Sequence, residues 1–213
     1  MPIRVVLFDF DGTLADSFVA ITASTNHVRH LFGLEQLPEP VVRQYVGFGL
    51  EHLMRDLVPT APTEVAVARY REHHAATMLT GTHLMSGVAE TVRTLHERGL
   101  RLGVCSNKRV EFTRQLVTDL GLGRYFATVL GPTDVDGRAK PDPALLLEGV
   151  RRLKGSAAEA LYVGDMAVDV EAARAAGIPV WLVLGGAAGP DAAREAMPDR
   201  VLTTFAELAE WLV

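Results

Sequence analysis

The chain has 213 residues, 48% hydrophobic and 22% charged, which suits a globular protein able to bury roughly 70% of its unfolded surface. Its 21 Lys and Arg against 26 Asp and Glu give a net charge of −5 without any basic run, which argues against a nucleic-acid partner. No stretch approaches the ~20 apolar residues of a membrane span and no signal-peptide pattern opens the chain, so a cytoplasmic protein with no membrane partner is expected.

In chain order, the first predicted element is an apolar strand at 3–10, "IRVVLFDF", which runs into Asp9, Asp11, Gly12 and Thr13. From Ser17 to Met85 the spacing is helical throughout, interrupted by "LPEP", "GFG" and "VPTAPT", with no convincing strand. A crossover between parallel strands rarely needs ~70 residues. Residues 17–85 are therefore expected to form a small helical domain inserted after the first strand, with 1–16 and 86–213 forming the main domain. Six of the seven histidines fall in the insertion. His27, His30, His73 and His74 read as surface helix residues, because no further ligands stand at metal spacing.

The rest alternates helix and strand. A helix face of Val88, Val92 and Leu95 stops at Gly99, and strands follow at 100–106 and 126–131. A helix with Asp142 as N-cap and Pro143 at its first position carries Leu146, Val150 and Leu153 and ends before Gly155. Strands at 160–165 and 179–184 and a helix at 205–213 complete the series. The alternation predicts an α/β fold, a doubly wound parallel sheet with helices on both faces. The single cysteine, Cys105, lies in a strand pattern and reads as a buried structural thiol.

Ligands of open parallel sheets bind beyond the carboxyl ends of the strands. Those ends carry Asp9 and Asp11, Ser106-Asn107-Lys108, and Asp165 with Asp169 four residues on, while Lys140 precedes the Asp142 helix. Asp9 and Asp165 can share a hard divalent cation, for which Mg2+ is the natural choice. Lys140, the Ser106 hydroxyl and the N–H groups around Gly12 and Asn107 can hold phosphoryl oxygens. Two neighbouring carboxylates can then divide the labour. An ionised Asp9 can attack phosphorus to form an aspartyl-phosphate, and Asp11 can protonate the departing alkoxide and later deprotonate water. The plainer reading of the pair is a solvated strand end before an Asp-Gly turn. In the insertion, "VGFGLEH" is either a loop that brings Arg43, Phe48 or His52 onto a substrate or a helix-helix turn with Phe48 packed inside. The glycine-rich loop at 185–189 matches neither a dinucleotide fingerprint nor an NTPase phosphate loop.

These residues taken together resemble the haloacid dehalogenase superfamily of phosphohydrolases, along the whole chain. "DFDGT" at 9–13 matches its first motif, Ser106 its second, Lys140 its third and "GDMAVD" at 164–169 its fourth. The resemblance implies a Rossmann-like core with a helical cap that closes over the site and selects substrate. It implies Asp9 as nucleophile, Asp11 as acid/base and Lys140 as catalytic cation. Mg2+ would be held by Asp9, Asp11 and Asp165, with Asp169 behind them orienting metal waters or Lys140. Gly12, Thr13, Ser106, Asn107, Lys140, Arg43 and Phe48 are the expected substrate contacts. The phrases "FDFDGTLADS", "VGFGLEHLM", "CSNK" and "KPDP" are most similar to phosphoglycolate phosphatases, although Met166 stands where such enzymes often carry a small hydroxyl residue. That similarity implies a monomer or homodimer hydrolysing a small phosphorylated metabolite, with 2-phosphoglycolate first and pyrophosphate, a sugar phosphate or a phosphosugar mutase reaction as alternatives. Dehalogenation has no use for Asp11 or Asp165, and a mere binding module would be expected to have lost a catalytic residue; none is missing.

Overall fold

A computed structural model of the chain describes residues 2–212; Met1 and Val213, the latter the last residue of the predicted C-terminal helix, lie outside the described residues. Strand β1, Val5–Phe8, is apolar on both faces and fully buried, as a central parallel strand must be. It is followed by β2, Ala15–Asp16, then by helices α1, Phe18–Leu31, α2, Glu39–Arg43, α3, Leu50–Leu57, and α4, Thr63–Thr77. The chain re-enters the main body through β3, His83–Leu84, which pairs antiparallel with β2, Asp16 opposite His83. Next come α5, Val88–Glu97, β4, Arg101–Cys105, α6, Val110–Asp119, β5, Phe126–Leu130, and α7, Ala144–Arg152. The series closes with β6, Ala160–Gly164, α8, Ala167–Ala176, β7, Val180–Val183, α9, Pro190–Glu195, β8, Arg200–Leu202, and α10, Glu207–Trp211.

Among the described residues the main sheet has six strands in the order β5-β4-β1-β6-β7-β8, all paired in parallel. Side chains of β1 alternate between two cores, as the period of two requires. Val6 and Phe8 join Val92, Leu95 and Leu116 on one face, and Val5 and Leu7 join Leu146, Val150 and Ala173 on the other. The expected doubly wound α/β sheet is the observed one. A third apolar cluster, built from Phe18, Val28, Leu53, Met54 and Tyr70 with their neighbours, lies within α1 to α4. No helix among the described residues is long and apolar enough to cross a membrane.

Four details differ from the sequence reading. The stretch 17–85 contains the short strand β3, which two residues cannot announce by periodicity. Strand β8 has no counterpart in that reading, because Arg-Val-Leu is only three residues long. Helix α7 starts at Ala144 with Pro143, not Asp142, at its N-cap; the Asp142 carboxylate accepts the Ala144 N–H at 2.8 Å from one residue further out. His74 is not a surface residue: it is 1% exposed, turned inward from α4.

Candidate active site

Backbone pairing delivers the functional side chains to one edge. The Asp9 N–H continues the β1 ladder to the Val163 carbonyl at 2.9 Å, and the Ser106 N–H continues β4 to Leu130 at 3.2 Å. Asp9 and Ser106 thus stand at neighbouring strand tips, with Asp165 at the tip of β6. Asp9, Ser106, Lys140, Asp165 and Asp169 are all buried.

Lys140 organises the centre. Its Nζ lies 3.0 Å from Asp9 Oδ2, 2.7 Å from Asp169 Oδ1 and 2.9 Å from the Tyr162 hydroxyl. Burial alone would lower the ammonium's pKa, but Asp169 and Asp9 reverse that and hold it charged. The Tyr162 hydroxyl in turn donates to the Cys105 carbonyl at 2.9 Å. Asp169, in the first turn of α8, uses its other oxygen to accept the N–H groups of Asp165 and Met166 at 3.1 and 3.0 Å. Both its oxygens are engaged by protein, so Asp169 stands behind Lys140 and Asp165.

Burial works against the charge of Asp9 and Asp165. Burial pushes the Asp9 carboxyl up to about 6 against the pull of Lys140, and burial followed by Asp169 and Asp9 raises Asp165. Asp9 Oδ1 is buried without a hydrogen-bond partner. Oxygens of Asp9, Asp165 and Asp169 fall within 4.8 Å of one another. Asp165 is steadied by the Thr13 hydroxyl at 3.2 Å and the Ala187 N–H at 2.6 Å. The two glycines beside it leave room: a Cβ on Gly12, where φ is +83°, would sit 2.4 Å from Asp165 Oδ2, and one on Gly186 2.2 Å from the same atom. An unpaired buried carboxylate oxygen, a second carboxylate and a cradle that admits no side chain are the donor set of a hard divalent cation. The residues present fit such an ion.

Asp11 lies outside that acidic cluster. Its carboxylate accepts from Lys108 Nζ at 3.1 and 3.2 Å and from the Ser17 hydroxyl, so its side chain serves the cavity rather than the cation site. The Gly12 N–H, expected for phosphate, is already given to the Ala15 carbonyl at 2.8 Å. The side-chain amide of Asn107, as distinct from the backbone N–H expected for phosphate, is engaged by protein. It donates to the Gly47 and Lys140 carbonyls at 2.9 and 3.0 Å and accepts the Lys140 N–H at 2.7 Å. Asn107 therefore ties the loop before α3 to the loop that carries Lys140.

A cavity of about 60 Å³ adjoins Asp9 and Asp11, walled by Tyr45, Leu50, Leu53, Tyr70, His74 and Phe112 and carrying Lys108 on its polar side. Arg43 and Phe48 do not line it. Arg43 stacks over Phe18 at 3.9 Å, pairs with Glu39 at 2.9 Å and reaches the Gly186 carbonyl at 3.3 Å. Phe48 is 44% exposed against His52, their ring centroids 5.2 Å apart. Sequence reasoning missed His74, Tyr70, Phe112 and the 186–187 loop. Only the last carried a usable signal, since it follows the carboxyl end of a strand.

The family model of haloacid dehalogenase-like hydrolases matches residues 6–183. A phosphoglycolate phosphatase of Cupriavidus necator is 37% identical over 196 residues, covering 89% of this chain and 84% of the relative. One from Rhodospirillum rubrum is 34% identical over 221 residues, covering 98% and 90%. A solved structure from Bacteroides fragilis, described as a haloacid dehalogenase-like hydrolase, superposes with a TM-score of 0.90 at 29% identity, covering 97% of this chain and 99% of its own. With its four motifs gathered at one sheet edge and this likeness along almost its whole length, the chain belongs to the haloacid dehalogenase-like hydrolase family.

Proposed function

We propose that the protein is a Mg2+-dependent phosphatase of small phosphate monoesters, with 2-phosphoglycolate as its leading substrate. The observation that carries the reading is the free Oδ1 of Asp9, an oxygen with no other partner, buried beside Lys140. Asp9 attacks phosphorus and the ester P–O bond breaks, leaving an aspartyl-phosphate. Lys140 pairs with the transferring oxygens, Ser106 and Thr13 bound their pocket, and Asp169 keeps Lys140 in place. Asp11, facing the cavity, gives a proton to the departing alkoxide and takes one from the water that then cleaves the acyl-phosphate. Mg2+, held by Asp9 and Asp165, would supply charge neutralisation at the phosphoryl group.

The glycolate assignment draws on the relatives of that name and on Lys108, a nearly buried cation suited to a carboxylate leaving group. The small cavity disfavours a bisphosphorylated hexose, and so disfavours the mutase reaction. In this reading residues 17–85 act as the cap, and 1–16 with 86–213 as the catalytic core. The setting is cytoplasmic, and the acting species a monomer or homodimer.

Phosphate release from 2-phosphoglycolate, pyrophosphate and hexose phosphates, with MgCl2 and with EDTA, tests the assignment. EDTA is expected to stop turnover, and Asp9→Asn to lower it by roughly 10⁴-fold or more in a folded protein. Undiminished turnover in that variant overturns the covalent route; a stronger response to pyrophosphate than to phosphoglycolate overturns the substrate.

A further inference from the structure

The helices meet the sheet edge at few points, His74 edge-on to Phe112 at 5.3 Å among them, and one such point reaches the candidate cation site. Gly186 and Ala187 share a trans peptide group. Its carbonyl accepts from Arg43 Nη1 at 3.3 Å, and its N–H donates to Asp165 Oδ2 at 2.6 Å. A trans peptide is planar, with its oxygen and its hydrogen on opposite sides, so a donor that fixes the one aims the other. The guanidinium also polarises the group it binds, which makes the N–H a stronger donor.

The chain on either side does little to hold that plane. Gly185, at φ +100°, and Gly186 lead into it, and a glycine backbone turns freely. Gly186 cannot be exchanged for a stiffer residue, because a Cβ there would fall 2.2 Å from Asp165 Oδ2 and 2.5 Å from the Gly12 carbonyl oxygen. The restraint comes from the helices instead. Arg43, on α2, is itself fixed on two sides, stacked over Phe18 of α1 at 3.9 Å and paired with Glu39 at 2.9 Å. Ala187 packs against the apolar cluster to which Phe18 belongs. Asp165 depends on the result. Its Oδ1 accepts the Thr13 hydroxyl at 3.2 Å and its Oδ2 the Ala187 N–H, and these two bonds set the carboxylate plane and hence the lone pairs left for a cation.

We propose that Arg43 is a positioning residue for the cation site: through the Gly186–Ala187 peptide it holds Asp165 in its ligating orientation, so that a divalent cation is bound most tightly when α1 to α4 are seated on the sheet edge. The proposal rests on the cation site described above and not on the choice of substrate. It gives Arg43 a task different from the substrate contact expected of it. The direction of its effect separates this task from simple charge. By Coulomb repulsion alone, loss of the Arg43 cation, which also leaves Glu39 unpaired, would make a divalent cation bind more tightly; loss of a positioning residue makes it bind more weakly.

The test titrates MnCl2, whose cation shares the oxygen preference of Mg2+, into the full-length protein and counts free Mn2+ by electron paramagnetic resonance, with MgCl2 then displacing it. Wild type is compared with Arg43→Ala, with Arg43→Met, which keeps the stem over Phe18 but has no donor, and with Arg43→Lys. The control is Arg69→Ala, which removes an exposed cation of α4 paired with Glu72 at 3.2 Å. Folding is checked by circular dichroism. Arg43→Ala and Arg43→Met are expected to weaken binding of both cations by roughly fivefold, and Arg43→Lys, with its charge and a donor, to restore part of the loss. Arg69→Ala should weaken nothing. By reciprocity, saturating Mg2+ should slow amide exchange in α1 to α4 of wild type, and do so less in Arg43→Met. Unchanged or tighter binding in a folded Arg43→Ala or Arg43→Met overturns the role of Arg43 and leaves the cation site standing, and an equal weakening in Arg69→Ala overturns it too. Wild type that takes up neither cation overturns the site itself, and this role with it.

Discussion

At Lys140 an ammonium, two carboxylates and a phenol share a volume closed to water, and their charges hold one another in place. His74, across the cavity, is the uncompensated case: it stays buried by staying neutral. Unfolded, it takes up a proton near pH 6.5; folded, burial and Lys108 delay that to about pH 3. Between those values the unfolded state binds more protons, so stability falls as pH falls from about 6.5 toward 3, while above 6.5 the residue adds no pH dependence. His74→Gln removes this contribution. Urea unfolding at pH 7 and pH 4.5 should show the wild type losing on the order of 2 kcal/mol more than the variant; equal losses would contradict a buried neutral ring. The difference between Lys140 and His74 also marks what a sequence discloses about single residues. Asp9, Ser106 and Asp165 are legible because strand ends converge whatever the loops do, whereas Lys140, on a loop, and Asp169, in the first turn of α8, are legible through the motifs that carry them. His73 and His74 are adjacent on a helix, about 100° apart, and which of them turns inward depends on how α4 meets α1 and Phe112.

Among elements, the informative contact is the one Asn107 makes between loops that no periodicity connects. Its amide joins the Gly47 carbonyl, just before α3, to the backbone on both sides of Lys140. Met166 closes the same seam, its sulfur lying where a Cβ on Gly47 would be 2.5 Å away. The expectation for phosphate rested on the backbone N–H of Asn107, which follows Ser106; its side-chain amide has a separate task, holding the α3 loop against the sheet edge. Asn107→Ala should therefore leave buried carbonyls of Gly47 and Lys140 short of a donor, costing about 1–3 kcal/mol in denaturant unfolding. It should also raise KM more than it lowers kcat, since the loop is released while Asp9 and Asp11 keep their places. An unchanged KM with a large loss of kcat would instead assign Asn107 to the reacting phosphoryl group. The alternation of strands and helices was readable from 86 onward for the same reason that β3 and β8 were not. Burial on both faces writes long apolar runs, whereas two- and three-residue strands at a junction or an edge write nothing.

For the molecule as a whole, the apolar side chains are divided unevenly. The sheet has a core on each face, and β1 and β6 are buried from both sides; α1 to α4 enclose a separate cluster of their own. The bonds between the helices and the sheet edge described above are local: Asn107 to Gly47, Arg43 to Gly186, and the ring contact of His74 with Phe112, besides the two-residue ladder of β2 with β3. Separate cores joined by few contacts open separately, because breaking the seam exposes little of either. Native-state hydrogen exchange is expected to show amides of Val6, Leu7, Phe8, Leu161 and Tyr162 exchanging only through global unfolding. Those of α1 to α4 should exchange together and at least about tenfold faster, through an opening that leaves the sheet intact. A single common protection across helices and strands would make the chain one cooperative unit. It would also mean that substrate reaches the cavity over Asp11 without any opening of the helices that form part of its wall.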